Sequence, residues 1–171
     1  VDLQYSAALA LVQIRTAVGD REQALSMLQR AHGIAPQVGG EHVARRVQAL
    51  EALAHLQFGA LEPVIRWTRN IDHSETDDPL LAELEDLVRA RLHLVEGHAD
   101  EALATLQRRL LAAEAARRMG SVIEILILQA RASLLVGQKE NAADLLERAL
   151  LLAQPEGYVQ VFVGEGSPMV E

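Results

Sequence analysis

Two histidines and a glutamate come close together in the middle of the chain: His93, Glu96 and His98. Imidazole and carboxylate groups bind divalent metals and transfer protons, so these residue types suggest a metal or acid–base site. The H-E-x-x-H arrangement of metalloproteases does not occur, however, and Gly97 interrupts the helix between the two histidines. We therefore interpret them as surface or helix-end histidines and predict no metal site.

Other catalytic motifs are also missing from the sequence. It contains no cysteine, no G-x-S-x-G nucleophile turn and no G-x-x-x-x-G-K-[ST] phosphate loop. Its many carboxylates fall on the polar faces of helical patterns, where solvated charge explains them. We predict that the chain is not an enzyme and that this stretch holds no cofactor.

Composition and charge narrow the class of partner. The 171 residues carry a formal net charge of −8. Proteins bind nucleic acid through Lys and Arg that displace counterions from phosphates, so direct contact with nucleic acid is not expected. No apolar run reaches the length of about 18 residues that a membrane span needs, and no signal-peptide pattern opens the chain. The absence of cysteine fits a reducing compartment, and we expect a cytoplasmic location.

A glycine recurs at a fixed period and defines the organisation of the chain. Gly19, Gly59, Gly97 and Gly137 are 40, 38 and 40 residues apart. The spacing G-x4-A-x3-L follows three of them, and in the second repeat Val64 and Thr68 replace the alanine and the leucine. A period of this length is typical of stacked supersecondary units.

The hydrophobic periodicity around these glycines predicts eight helices in four hairpins. Asp78 is the expected N-cap of the fifth helix, with Pro79 in its first turn. We expect a single repeat domain over 1–171, with repeats 1–40, 41–78, 79–119 and 120–155 and a C-terminal cap over 156–171. The predicted helices are 3–18, 21–36, 41–58, 61–70, 79–96, a helix from after Gly97 up to Gly120, 121–136 and 139–153.

Three segments depart from the regular repeat. The acidic stretch 72–78 is interpreted as a solvated loop between repeats, with a hinge as the alternative. The stretch 158–163 alternates in a way that permits a strand, but a short capping helix is favoured because a lone strand has no partner for its backbone groups. The chain opens at Val1 without a methionine, and we interpret it as part of a longer protein.

The repeat resembles the tetratricopeptide repeat, in which a loop glycine precedes an alanine and a large residue of the second helix. Those positions are Ala24 and Leu28, Ala102 and Leu106, and Ala142 and Leu146. The aromatic residues of the family's first helix are absent, and the period exceeds the family's value of about 34 residues. The resemblance implies an all-α right-handed superhelix of four hairpins.

A narrower resemblance covers the second half of the chain. The stretches 89–97, 121–130 and 155–169 are similar to the repeat region of large LuxR-type, MalT-like transcriptional activators. The resemblance implies a parent protein with an N-terminal domain that binds ATP and a C-terminal helix-turn-helix domain. This chain would then bind an effector or partner and relay the signal to DNA binding. The alternative is a tetratricopeptide scaffold that binds a protein or peptide and has no regulatory role.

The concave face of stacked hairpins is lined by the first helix of each repeat. Guanidinium groups hold carboxylates or phosphates bidentately, so arginines on this face suit a small-molecule effector, a protein or a peptide. The alternative is that these arginines, Arg46, Arg91 and Arg131, form helix-to-helix ion pairs. Their partners would be Glu83, Glu85 or Glu124. A homodimer through the exposed ends of the repeat array is a further expectation. The groove positions of the tetratricopeptide frame select Gln13, Arg46, Gln57, Arg91, Glu124 and Arg131.

Overall fold

A computed structural model describes residues 2–71 and 76–154. Within these residues the chain is all-helical, with eight helices and no strand. The predicted cap over 156–171, the stretch 158–163 and residues 72–75 of the acidic stretch lie outside the described residues. The helices are α1 (Asp2–Ala17), α2 (Arg21–Val38), α3 (Glu41–Gln57), α4 (Leu61–Asn70), α5 (Pro79–Glu96), α6 (Ala99–Ala115), α7 (Met119–Leu135) and α8 (Lys139–Ala153).

Side-chain capping marks the starts of two helices, α5 and α2. The Asp78 carboxylate accepts hydrogen bonds from the backbone N–H groups of Leu80 and Leu81, at 2.9 and 3.2 Å. Two donors that the first turn of α5 cannot satisfy internally are thereby satisfied. Asp20 does the same for α2, accepting from the N–H of Gln23 at 3.1 Å. The predicted N-cap of α5 is confirmed.

Each α-α hairpin turns at a residue in the left-handed region. Gly19, Gly59, Gly97 and Gly137 have φ between 72° and 82°, a conformation that glycine adopts without a Cβ penalty. At Gly97 the backbone N–H of the next residue donates to the carbonyl of His93 at 2.8 Å, which closes the end of α5. Each of the four recurring glycines therefore follows the end of the first helix of its hairpin.

The boundary between α6 and α7 differs from the prediction. We expected α6 to continue up to Gly120, but it ends at Ala115, and Gly120 lies in the first turn of α7. The left-handed residue of this turn is Arg117, with φ 54°. Its N–H donates to the carbonyl of Glu114 at 3.0 Å, and the N–H of Arg118 donates to that of Ala113 at 2.9 Å. The same hydrogen-bonded turn therefore forms without a glycine.

The chain divides into two compact units, Val1–Val88 and Arg89–Glu171, and the boundary falls inside α5. The core of the first unit lies between α1, α2 and α3 and includes Val12, Leu28 and Val47. The core of the second unit centres on α7, of which Ile123 and the whole run 125–128 are buried. In both units an alanine of the frame, Ala24 or Ala102, is fully buried, as close helix approach requires.

Candidate functional site

The groove residues of the first unit lie on α1 and α3. Gln13 and Gln57 are exposed and Arg46 is half-buried. Arg46 acts electrostatically on Tyr5, whose hydroxyl donates a hydrogen bond to the carbonyl of Val43 at 3.2 Å. Burial raises the pKa of Tyr5 above its ordinary value, and the positive charge of Arg46 opposes that rise. The phenol therefore remains a neutral hydrogen-bond donor that ties α1 to α3.

A buried ion pair joins α3 to α5 in the first unit. The Arg45 guanidinium donates to both carboxylate oxygens of Glu85, from Nε at 3.0 Å and from an Nη at 2.9 Å. The two side chains are only 15% and 7% exposed. This bidentate geometry is the strong form of the interaction between guanidinium and carboxylate. The repeat frame selected the neighbouring Arg46 and missed Arg45; only the alternative that named Glu85 pointed to this pair.

A second ion pair joins α5 to α7 in the second unit. The Arg91 guanidinium donates to the Glu124 carboxylate at 2.7 Å, and the side chains are 10% and 34% exposed. Both residues belong to the predicted groove set, and the structure brings them into direct contact. The ion-pair alternative therefore holds for Arg91. Arg131 lies about two helical turns after Glu124 on the same face of α7 and is half-buried.

Buried amide and hydroxyl groups fix α7 against its neighbours. The Gln129 side-chain amide donates to the Gln107 carbonyl oxygen on α6 at 3.2 Å. The Ser133 hydroxyl accepts from the Asn141 amide on α8 at 2.9 Å. Buried polar groups of this kind specify helix register because a shifted register would leave them without partners. The helix that carries Glu124 and Arg131 is therefore held in one position within its unit.

These features define the class of the protein. Helical hairpins with a left-handed turn, a buried alanine in the second helix and polar positions along the first helices make up a tetratricopeptide-like α-α repeat, a non-catalytic scaffold fold. None of the described helices is long and apolar enough to cross a bilayer.

The particular family follows from comparison with known families. The family model described as "MalT-like TPR region" matches residues 2–171, and the chain belongs to that family. The resemblance seen in the second half of the sequence is thus confirmed and extends over nearly the whole chain. Neither the curated proteins nor the solved structures include a significant match.

Proposed function

We propose that this chain is the effector- or partner-binding and signal-relay region of a MalT-like transcriptional regulator that acts in the cytoplasm. In this proposal it controls DNA binding by a helix-turn-helix domain elsewhere in the protein, and ATP binds only to a separate nucleotide-binding domain. Membership of the MalT-like repeat family supports the regulatory role. The fold supports a recognition surface, because repeat arrays of this type present their first helices to ligands.

One observation carries the proposal: ion pairs join successive first helices within each unit. Arg45 and Glu85 join α3 to α5, and Arg91 and Glu124 join α5 to α7. A ligand carboxylate or phosphate that competes for such an arginine changes the contact between two first helices. Since a ligand shifts a conformational equilibrium only by binding one state better, this competition supplies the required difference between states. The ligand class favoured by the arginines is anionic or carries a planar polar group.

The regulatory role can be tested from the coding sequence that follows the codon for Glu171. We expect it to encode a helix-turn-helix domain with a basic recognition helix. A coding sequence without such a domain contradicts the regulator proposal and favours a scaffold that binds a protein or peptide.

The ligand-binding role can be tested by screening the 171-residue chain for thermal stabilisation by sugars, organic acids and nucleotides. For a ligand found in this way, Arg131→Ala should weaken binding about 10- to 100-fold in titration calorimetry. That range corresponds to the loss of a hydrogen bond to a charged group, about 1.5–3 kcal/mol.

The matched control is Arg148→Ala, which removes an arginine from the second helix α8, where it pairs with Glu114. We expect this change to leave the affinity for the ligand unaltered. Loss of binding in Arg148→Ala together with full binding in Arg131→Ala would place the ligand on the second helices and refute the groove assignment.

A further inference from the structure

The turn between α5 and α6 brings two histidines and a glutamate together. Gly97, with φ 82°, reverses the chain after Glu96, and the backbone N–H of His98 donates to the carbonyl of His93 at 2.8 Å. The rings of His93 and His98 consequently lie with their centroids 6.0 Å apart. One ligand atom from each of His93, Glu96 and His98 lies within 4.8 Å of the other two. The glycine that separates the histidines in sequence is thus what gathers them in space.

The ligand atoms of this cluster are available for coordination. His98 is the N-cap residue of α6, but its side chain makes no capping hydrogen bond and is 55% exposed. Its Nδ1 lies 3.5 Å from a carboxylate oxygen of Glu96. The Nδ1 of His93 is buried and has no hydrogen-bond partner in the described part of the chain. A buried polar atom without a hydrogen-bond partner costs free energy, and a metal ion coordinated by this nitrogen would provide the missing partner.

The electrostatic surroundings favour a cation. The cluster lies between the C-terminal end of α5 and the N-terminal end of α6, so the two helix dipoles oppose each other and the carboxylates determine the local charge. Asp100 and Glu101 follow in the first turn of α6, and the whole chain carries a formal net charge of −8. Glu96 itself contributes a carboxylate inside the cluster.

We propose that His93, Glu96 and His98 form a binding site for a zinc ion or a chemically similar borderline divalent cation. Imidazole nitrogens select zinc, nickel and copper, whereas magnesium and calcium prefer oxygen ligands alone. Three protein ligands leave one tetrahedral position open to water or to an anionic group of a ligand. Tetrahedral zinc holds its nitrogen ligands at about 2.0–2.1 Å, so the three atoms must move closer together. Rotation of the exposed Glu96 and His98 side chains supplies that movement.

Metal binding would tie the end of α5 to the start of α6 across the Gly97 turn. Because the unfolded chain does not hold the three ligands together, an ion that binds only the folded hairpin stabilises it. This site shares no residue with the groove set, so a test of zinc binding does not depend on the proposed regulatory function.

The experiment uses the metal-free 171-residue chain without a polyhistidine tag. Zinc is titrated in competition with a chromophoric chelator, and cobalt(II) is added separately as a spectroscopic probe. We expect one equivalent of zinc to bind, the thermal midpoint to rise, and cobalt to develop the visible absorption of a low-coordinate nitrogen and oxygen site. His98→Ala should weaken zinc binding at least tenfold and remove the cobalt band. The far-ultraviolet circular dichroism should stay unchanged because His98 is exposed.

His32→Ala provides the matched control. His32 and His55 both lie near Glu51 in the first unit, at 3.1 and 3.9 Å, so the same residue types occur there without the Gly97 turn. We expect zinc affinity to be unchanged in His32→Ala and to fall in both His98→Ala and His93→Gln. The proposal is overturned if the chain binds no stoichiometric zinc. It is also overturned if His98→Ala and His93→Gln bind zinc as tightly as the unaltered chain, or if His32→Ala abolishes binding.

Discussion

The second helices of the second and third repeats, α4 and α6, follow the same kind of turn but pack very differently. Gly59 and Gly97 precede them with φ of 72° and 82°. Yet α6 has 17 residues and buries five of them, whereas α4 has 10 residues and buries only Val64. The turn and the packing of the helix that follows it are therefore encoded separately. A glycine sets the hairpin, and the side chains of the second helix decide how much of it is buried.

The side chains at the two frame positions contribute to this difference. In α6 these positions hold Ala102 and Leu106, and both are fully buried. In α4 they hold Val64, which is buried, and Thr68, which is half-buried. The Thr68 hydroxyl donates to the carbonyl of Ile65 in its own helix at 2.9 Å, so it makes a local contact instead of filling a core. The second repeat thus keeps its turn while losing one of its two packing anchors.

The largest difference we predict is in the free energy of unfolding, between substitutions of Leu106 in α6 and Thr68 in α4. Leu106→Ala should lower the free energy of unfolding by about 2–5 kcal/mol, because it leaves a cavity in a fully buried position. Thr68→Ala at the same frame position should cost at most about 1.5 kcal/mol, the value of one hydrogen bond. Urea unfolding followed by circular dichroism measures both changes.

Leu28→Ala is the matched control for this comparison, since Leu28 holds the same frame position in α2 and is 2% exposed. We expect its cost to equal that of Leu106→Ala within about 1 kcal/mol. Equal losses of unfolding free energy for Leu106→Ala and Thr68→Ala would show that the residue at this frame position does not cause the difference in packing between the two repeats.

We expect a smaller difference in the free energy of unfolding when the two ion pairs between first helices are disrupted in turn. Glu85→Gln removes the charge from a bidentate pair in which both side chains are at most 15% exposed, so we expect a cost of about 1.5–3 kcal/mol. Glu124→Gln alters a single contact whose carboxylate is 34% exposed, and solvent reduces its expected cost to about 1 kcal/mol or less. The same urea unfolding measurement compares them. A larger loss in Glu124→Gln would contradict the assignment of Arg45 and Glu85 as the stronger pair.

The sequence predicted most of the fold because the determinants of these helices are local. Apolar periodicity and the recurring glycine gave 61–70, 79–96 and 139–153, which coincide with α4, α5 and α8. The end of α6 was not predictable in this way. Its turn uses Arg117 in a left-handed conformation, and an arginine carries no compositional sign of such a backbone.

The candidate sites were predicted less completely because they depend on contacts between helices. The repeat frame placed Arg91 and Glu124 on first helices but could not show that they meet at 2.7 Å. The frame selected Arg46. Arg45 is one residue earlier, so its side chain lies on another face of α3, where it contacts Glu85. His93 and His98 were discounted because no H-E-x-x-H arrangement occurs and Gly97 interrupts the helix between them, yet the turn at Gly97 brings the two side chains together.

The turns at Gly97 and Arg117 allow a test of whether a hairpin turn needs its glycine. The Gly97 and Arg117 turns have the same pair of backbone hydrogen bonds but different residues in the left-handed position. A Cβ at Gly97 would meet no atom within 4 Å, so Gly97→Ala should cost only the backbone strain of about 1–2 kcal/mol. Arg117→Gly relieves that strain but gives the unfolded chain more freedom, so its expected gain is about 0.5 kcal/mol.

Thermal unfolding of the two variants measures these opposite shifts, with Gly33→Ala as a control. Gly33 lies inside α2 at ordinary helical φ, and a Cβ there would also meet no atom within 4 Å. Gly33→Ala should therefore stabilise the chain by roughly 0.5–1 kcal/mol, because alanine favours helix more than glycine does. A gain of stability in Gly97→Ala as large as that in Gly33→Ala would show that the left-handed conformation imposes no cost there. The turns of α-α hairpins would then be set by helix packing instead of by the turn residue.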